Sequence, residues 1–574
     1  VEYMKKYEEW LNNPYFDEET KKELWCIYDN EKEIEERFYK ELEFGTGGLR
    51  GIIGAGTNRI NKYIVRKATQ GLSNYLLKEI DNAKKKGVVI AFDSRYKSPE
   101  FAREAALVLG GNGIKAYVFE SLRTTPELSF SVRELKAAGG IVITASHNPP
   151  EYNGYKVYGE DGGQLVPKYA KKVIEEIRKI QDYSQVNYIN EQEAKDKDLL
   201  YIIGEEIDRK YIDMVKSLAL RKDVIEKTKD FKIVYTPLHG TGAMIVKKVL
   251  TEAGFKNFFP VKEQEVPDSN FSTVESPNPE QHDAFNMAIE LAEKVHADII
   301  IGTDPDCDRV GVVVKNKEGK YEVLTGNQTG ALLTDYILSS MESIPKNSVI
   351  IKTIVTSELG SRIAESYGVE TINTLTGFKF IGEKIKEFEE NGDRNFLFGY
   401  EESYGYLTGT SVRDKDAVIS SLLIAEMAAY YKLKGMTLLD GLEHLYEKFG
   451  YYREDLKSMV LKGKEGLEKI GRIMDNLRNN QQLQIGEIKI HIIRDYLIGR
   501  AKFVDNGREE ALDLPKSNVL HFTLEDGSWI AIRPSGTEPK IKIYFSAIGE
   551  NKEQAEKKLN KIKKHILRRI DEIE

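Results

Sequence analysis

A chain of 574 residues is longer than one hydrophobic core supports, and at about 150 residues per domain it divides into about four. Its 41% hydrophobic and 31% charged residues are those of an ordinary globular enzyme, with neither a long apolar span nor, in "VEYMKKYEEW", the apolar core of a secretory signal. A net charge of −8 argues against a nucleic-acid partner, and two cysteines, Cys26 and Cys307, fit a reducing cytoplasm better than a disulfide framework, so a cytoplasmic protein is expected.

From Asn13 to Phe44 the chain is charged and helix-like, with Asp17 before "EETKKEL" as a helix cap. "VVIAFD" (from Val88), helical "PEFAREAALVLG", "IKAYVFE", helical "PELSFSVRELKAAGG" and "IVITASHNP" then alternate as β-α-β-α-β, the pattern of a parallel sheet. A second such unit runs from "FKIVYTPLHGTG" (Phe231) through "KNFFPV" and helical "NMAIELAEKVH" to "ADIIIGTDPDCDRVGVVV". The third comprises "SVIIKTIVTS" (Ser348), "SELGSRIAESYG", "VETINTLTGFKF", "NFLFGYEESYGYL" and helical "DAVISSLLIAEMAAYY". The tail from Ser517 reads instead as antiparallel strands closed by a Lys/Glu-rich helix. The expected fold is therefore α/β: three related α/β domains with mixed sheets and a smaller C-terminal α+β domain. Its boundaries are placed at 1–208, 209–324, 325–442 and 443–574.

The strand Ile141-Val142-Ile143 runs into "TASHNP". A serine beside a histidine suggests a hydrolase, yet sequence neighbours seldom give nucleophile–base geometry and no G-x-S-x-G elbow is present; a turn serine is the plain alternative. In "GTDPDCDRV", Asp304, Asp306 and Asp308 alternate after an apolar strand, so an extended backbone turns all three carboxylates to one side. Unless this is a solvated acidic turn, the crowded anions call for a cation, and their hard oxygens suit Mg²⁺ or Mn²⁺. Arg309 and Lys315 stand where an EF-hand needs glycine and glutamate. A divalent ion also gives the serine a purpose. A phosphoserine brings about −1.5 to −2 charges and three acceptor oxygens, one of which can complete the ion's coordination.

"GTGGLRGIIGAGTNR" from Gly45 fails as a dinucleotide fingerprint, because Arg50 occupies the third glycine's place and a helical pattern precedes it. Its glycines and Arg50 could instead let N–H groups and a guanidinium approach a phosphate, a plain surface turn being the alternative. "RPSGTEPK" repeats that logic with Arg533 as a fork, Ser535 and Thr537 as donors and Gly536 for close approach; otherwise it is a hairpin turn. "GYEESYGY" sets Glu401, Glu402 and Ser403 after "FLF". Adjacent glutamates on a strand point to opposite faces, which suits sugar-hydroxyl binding better than a glycosidase pair. Lys156 in "NGYK" and Lys379 in "TLTGFKF" gain weight only from this company, and His239 in "TPLHGTG" reads as a loop organiser.

Taken in order, "GTGGLRG", "TASHNP", "NGYK", "DPDCDR", "TGFKF", "GYEESYGY" and "RPSGTEP" resemble the α-D-phosphohexomutase superfamily over nearly the full length. The resemblance implies four domains around a central cleft, each lending one loop. It implies Ser146 as phosphoryl carrier and as a fourth ligand, with Asp304, Asp306 and Asp308, of one Mg²⁺ per site. Arg50, His147, Lys156 and Arg309 surround the phosphoserine; Glu401, Ser403, Thr376 and Gly377 meet the sugar; Arg533, Ser535, Gly536 and Thr537 hold the non-reacting phosphate. Lys379 is an acid/base candidate of the glucose and pentose branches, Phe378 replacing the histidine of bifunctional mannose and glucose enzymes.

The implied activity interconverts glucose 1-phosphate and glucose 6-phosphate through glucose 1,6-bisphosphate, a sugar bisphosphate also serving as the activator that keeps Ser146 phosphorylated. The longer "GYEESYGY" loop and the N-terminal extension resemble a subgroup that includes phosphomannomutases and phosphopentomutases. Three other readings compete: a phosphatase with Asp304 as nucleophile, a bisphosphate synthase and a silent sugar-phosphate sensor. Small sugar phosphates are the expected partners, with no nucleic acid or membrane, in a monomer or weak homodimer.

Overall fold

Runs of buried β-branched residues set the framework. In the computed structural model, which describes residues 2–45, 47–461, 463–482, 484–535 and 539–573, Val88–Phe92 and Gly139–Ile143 are buried at every position. Continuous apolar text of this kind belongs to central parallel strands covered on both faces. The chain forms two units, one of Val1–Gly326, Ser340–Ser348 and Phe378–Gly435, the other of Asn327–Ser339, Val349–Gly377 and Met436–Glu574.

The first unit begins with α1 (Glu2–Asn12), α2 (Glu18–Trp25) and α3 (Glu31–Phe38). Asp17 caps α2 by accepting the Thr20 N–H at 2.9 Å, as its position before "EETKKEL" predicts. Tyr7, Trp10, Phe16, Ile34 and Phe38 bury themselves against Tyr63. The first sheet contains β1 (Gly48–Ile52), β2 (Val88–Phe92), β3 (Ala116–Phe119), β4 (Gly139–Ile143), β5 (Tyr152–Tyr158) and β6 (Leu200–Ile203) in the order β1-β5-β4-β2-β3-β6. Its β2, β3, β4 and β6 are parallel, β5 runs antiparallel to β4 and β1 antiparallel to β5 in turn, so "TASHNP" lies in the β4–β5 turn.

The second sheet has the order β11-β10-β9-β7-β8, with β7 (Lys232–Thr236), β8 (Asn257–Pro260), β9 (Ile299–Thr303), β10 (Val310–Lys315) and β11 (Tyr321–Val323). Its antiparallel β9 and β10 are joined by the acidic turn. The same unit contains helix Phe378–Asn391, the antiparallel hairpin of Asn395–Glu401 with Gly405–Thr408, and helix Ala417–Leu433, buried on nearly every side.

In the second unit, Val349–Thr353 and Glu370–Thr374 pair in parallel, and residues 451–549 build an antiparallel sheet. Helix Gly463–Asn479 buries Ile473 and Leu477, and helix Lys552–Asp571 buries Ile562 and Ile566, in one core with Ile530, Ile543 and Phe545. Among the described residues no helix is long and apolar enough to cross a membrane, and Cys26 and Cys307 are both free.

Candidate active site

β4 delivers the chain into a turn where Ser146 has φ +52°, a left-handed conformation unusual for a residue with a side chain. Such a residue costs about 1–3 kcal/mol and persists only where its surroundings over-determine it. They do so here. The Ser146 N–H donates to Thr144 Oγ1 (2.9 Å), whose hydroxyl donates to Asp93 Oδ2 (2.6 Å), while Ser98 Oγ donates to Asp93 Oδ1 (2.7 Å). The fully buried Arg95 guanidinium donates to the carbonyls of Ser146 (2.6 Å), Asn148 (2.6 Å), Pro149 (2.8 Å) and Tyr152 (3.0 Å).

The Ser146 hydroxyl donates to Asp304 Oδ2 at 2.7 Å, joining the serine loop to the acidic turn. Ligand oxygens of Asp304, Asp306 and Asp308 all lie within 4.8 Å of one another, and the three side chains are buried. The carboxylates converge, but not by strand alternation: residues 304–309 are outside β9 and β10, and Cys307 turns the chain with φ +58°. Asp304 Oδ1 accepts the N–H groups of Asp308 (3.1 Å) and Arg309 (3.0 Å), which fixes the turn's shape.

Asp306 Oδ2 accepts from Thr125 Oγ1 (2.7 Å) and Lys156 Nζ (3.0 Å), and Asp308 Oδ2 lies 3.7 Å from Lys156 and 3.2 Å from Lys415. The remaining oxygens, Asp306 Oδ1 and Asp308 Oδ1, are buried without a hydrogen-bond partner. Burial and then its two acidic neighbours push the Asp304 carboxyl well above the usual range, whereas Lys156 holds Asp306 below it against burial. Hard carboxylate oxygens, crowded, buried and in part unpartnered, are the donor set that a small divalent cation satisfies.

Basic groups ring this centre. Arg50, on β1, donates through Nη1 to Asn148 Oδ1 (3.0 Å), and Arg309 pairs with Glu280 (2.9 Å). His147 Nδ1 lies 3.4 Å from Ser146 Oγ, and burial, then Arg309 and Arg50, drive its pKa well below the usual value, so the ring is neutral near pH 7. Lys379 opens helix Phe378–Asn391; burial lowers its pKa to about 8 against the opposing pull of Glu401. Glu401 is buried at the end of its strand, Ser403 is in the following turn, and Tyr404 there accepts the Val310 N–H (3.1 Å), which ties that turn to the acidic one.

Thr376 and Gly377 belong to the second unit, where the Thr376 hydroxyl is buried without a partner. So do Arg533, which donates to the Tyr544 hydroxyl (3.3 Å), and Ser535, whose N–H donates to the Lys540 carbonyl (2.7 Å). Gly536 and Thr537 lie outside the described residues. His239 spends both ring nitrogens on its loop, with Val266 O at 2.9 Å and Thr273 Oγ1 at 2.7 Å, as a loop organiser does.

Sequence reasoning missed Asp93, Arg95, Thr125 and Lys415. Asp93 carried the signal used for Asp304, an acid directly after an all-apolar strand. Lys415 had no such mark, and its stem fills a notch at Gly405, where an added Cβ would stand 2.0 Å from Lys415 Cδ.

Comparison with known proteins identifies the family. Four family models match in order: phosphoglucomutase/phosphomannomutase alpha/beta/alpha domains I (residues 41–184), II (209–319) and III (325–449), and the C-terminal domain (497–563). A phosphoglucomutase of Staphylococcus haemolyticus is 40% identical over 520 residues, covering 91% of this chain and 93% of its own. One from Staphylococcus aureus is 40% identical over 554 residues, 94% of this chain and 98% of its own. Among solved structures, the open form of parafusin, a phosphoglucomutase from Paramecium, superposes with a TM-score of 0.70 at 20% identity, covering 93% of this chain and 95% of that one.

Proposed function

The chain belongs to the α-D-phosphohexomutase superfamily, and on that premise we propose that it is a phosphoglucomutase, interconverting glucose 1-phosphate and glucose 6-phosphate. The observation that carries the reading is the Ser146 hydroxyl, held 2.7 Å from Asp304 inside a buried carboxylate triad. We take the domains as residues 1–208, 209–324, 325–442 and 443–574.

Phosphorylated Ser146 gives its phosphoryl group to the free 6-hydroxyl of glucose 1-phosphate. The serine–phosphorus bond breaks, a bond to O6 forms, and the O6 proton passes to a base, for which we nominate the Lys379 amine. Asp304, Asp306, Asp308 and Ser146 would hold one Mg²⁺, which supplies positive charge beside the transferring oxygens. Lys156, Arg50 and Arg309 add fixed positive charge, and neutral His147 supports the serine loop. The glucose 1,6-bisphosphate formed turns over and its 1-phosphate passes to Ser146 Oγ: the O1–phosphorus bond breaks, and O1 takes the proton that the base had received from O6. Glu401 and Ser403, with Thr376 and Gly377, bind sugar hydroxyls in either orientation, while Arg533, Ser535, Gly536 and Thr537 anchor whichever phosphate is not reacting. A trace of bisphosphate keeps Ser146 phosphorylated.

The test is ³¹P NMR of the protein with Mg²⁺, a trace of hexose bisphosphate and equal glucose, mannose and ribose 1-phosphates. Conversion of the glucose 1-phosphate signal first is the predicted result. Faster loss of the mannose or ribose signal would reassign the sugar, inorganic phosphate alone would make the protein a phosphatase, accumulating bisphosphate would make it a synthase, and no change would leave a sensor.

A further inference from the structure

We propose that the N-terminal helices α2 and α3 are a working part of the phosphoserine site: they pin the loop that continues β1 and thereby hold Arg50 against the serine loop, where it meets Asn148, with Arg37 as the positioning residue. The inference rests on the mutase reading for its consequence, though not for its geometry.

β1 carries Arg50 at the edge of its sheet and is paired through β5 alone. An edge strand bonded on one side needs another restraint if a side chain on it is to be placed to a fraction of an ångström. The extension provides it. Leu42 lies so close to Gly51, the residue after Arg50, that an added Cβ there would stand 2.9 Å from Leu42 Cδ1. Beyond β1 the chain closes a loop, Ile60 N–H donating to Ile52 O (2.9 Å) and Gly54 N–H to Ile60 O (3.2 Å).

The tip of that loop is gripped from both sides. Ala55 N–H donates to Glu23 Oε1 (3.0 Å), and Arg37 Nη1 donates to Ala55 O (3.1 Å) and to the same Glu23 oxygen (2.5 Å). Glu33 accepts from Arg37 Nε (2.8 Å), so the guanidinium is held by one carboxylate from α2 and one from α3. Asn58 N–H donates to Arg37 O (2.8 Å), Thr57 Oγ1 to Lys40 O (2.7 Å), and Leu42 N–H to Thr57 O (2.7 Å). Gly54 and Gly56 are the residues that permit this approach: added Cβ atoms would stand 2.9 Å from Glu23 Oε1 and 2.8 Å from Arg37 Cβ. The second half of "GTGGLRGIIGAGTNR" is thus shaped for the extension rather than for a phosphate. Lys97, the residue before Ser98, reaches Glu19 of α2 (3.4 Å).

A mutant cycle tests the assignment. Arg37→Met is expected to lower kcat about tenfold with KM within about twofold, and to cost nothing further in an Arg50→Met background, because both changes act through one group. Tyr7→Phe removes a hydrogen bond to Leu24 O inside the extension and none to the loop, and keeps the ring that packs in one core with Ala55, so it is expected to leave kcat unchanged. Additive losses in the double variant, or an equal loss from Tyr7→Phe, would overturn the proposal. Hydrogen exchange supplies a readout free of activity: amides of residues 48–60 are expected to exchange faster in Arg37→Met and at the parent rate in Tyr7→Phe. An inactive parent would sink the mutase reading and leave exchange to decide this one; unchanged exchange in Arg37→Met would end it.

Discussion

The serine loop of the first unit and the arginine loop of the second are built differently. Ser146 is 4% exposed and its acidic partners 0–2%, each held by hydrogen bonds or by ion pairs to lysines, whereas Arg533 and Ser535 are half-buried at the end of a strand. A group that must form and break a bond needs fixed charge in a dry setting, where a misplacement of about 1 Å can cost a factor of about 100. A group that only grips a phosphate needs charge and reach. The difference predicts that damage to the first loop falls on turnover and damage to the second on substrate affinity.

The widest separation comes from two serines. Ser146→Ala is expected to abolish turnover, a fall of at least about 10⁴ in kcat, while Ser535→Ala raises KM by roughly threefold, the effect of one hydrogen bond. Steady-state kinetics with glucose 1-phosphate reads both, and a kcat collapse in Ser535→Ala would erase the distinction. Asp306→Asn removes charge from the triad; loss of Mg²⁺ binding by calorimetry and a fall in kcat of about 10³ are expected.

Lys379 sharpens the comparison through pH. Burial lowers its pKa to about 8, and the amine is its basic form, so turnover should rise with pH through that value. Lys379→Met should cost about a hundredfold in kcat and remove this limb; an unchanged profile would strip Lys379 of the role. The smallest expected effect is Arg533→Lys, which keeps the charge but loses the fork, raising KM about tenfold at constant kcat.

Alternating apolar strands and helices made the α/β layers legible, because a buried parallel strand is written in consecutive β-branched residues. The triad was legible as a group, but its geometry was not. Spacing by two implied a strand, whereas backbone hydrogen bonds to Asp304 and the left-handed Cys307 fold the segment into a turn. Arg95 and Lys415 were invisible for one reason: "FDSRYKS" and "SVRDKDAV" look like solvated charge, and only the folded chain shows an arginine spent on four carbonyls or a lysine lying across a glycine. The extension was read as helical from its charged pattern and the Asp17 cap, but its service to Arg50 depends on contacts between residues far apart in sequence, which no local pattern records.

The central claim is that Ser146 carries the phosphoryl group. Its most direct test is to incubate the protein with Mg²⁺ and ³²P-labelled glucose 1,6-bisphosphate, locate the label by peptide mapping, and chase with unlabelled glucose 1-phosphate. The account predicts an acid-stable label on Ser146 that passes into sugar phosphate during the chase. A hydroxylamine-labile label on Asp304, or a Ser146 label that leaves only as inorganic phosphate, would contradict it.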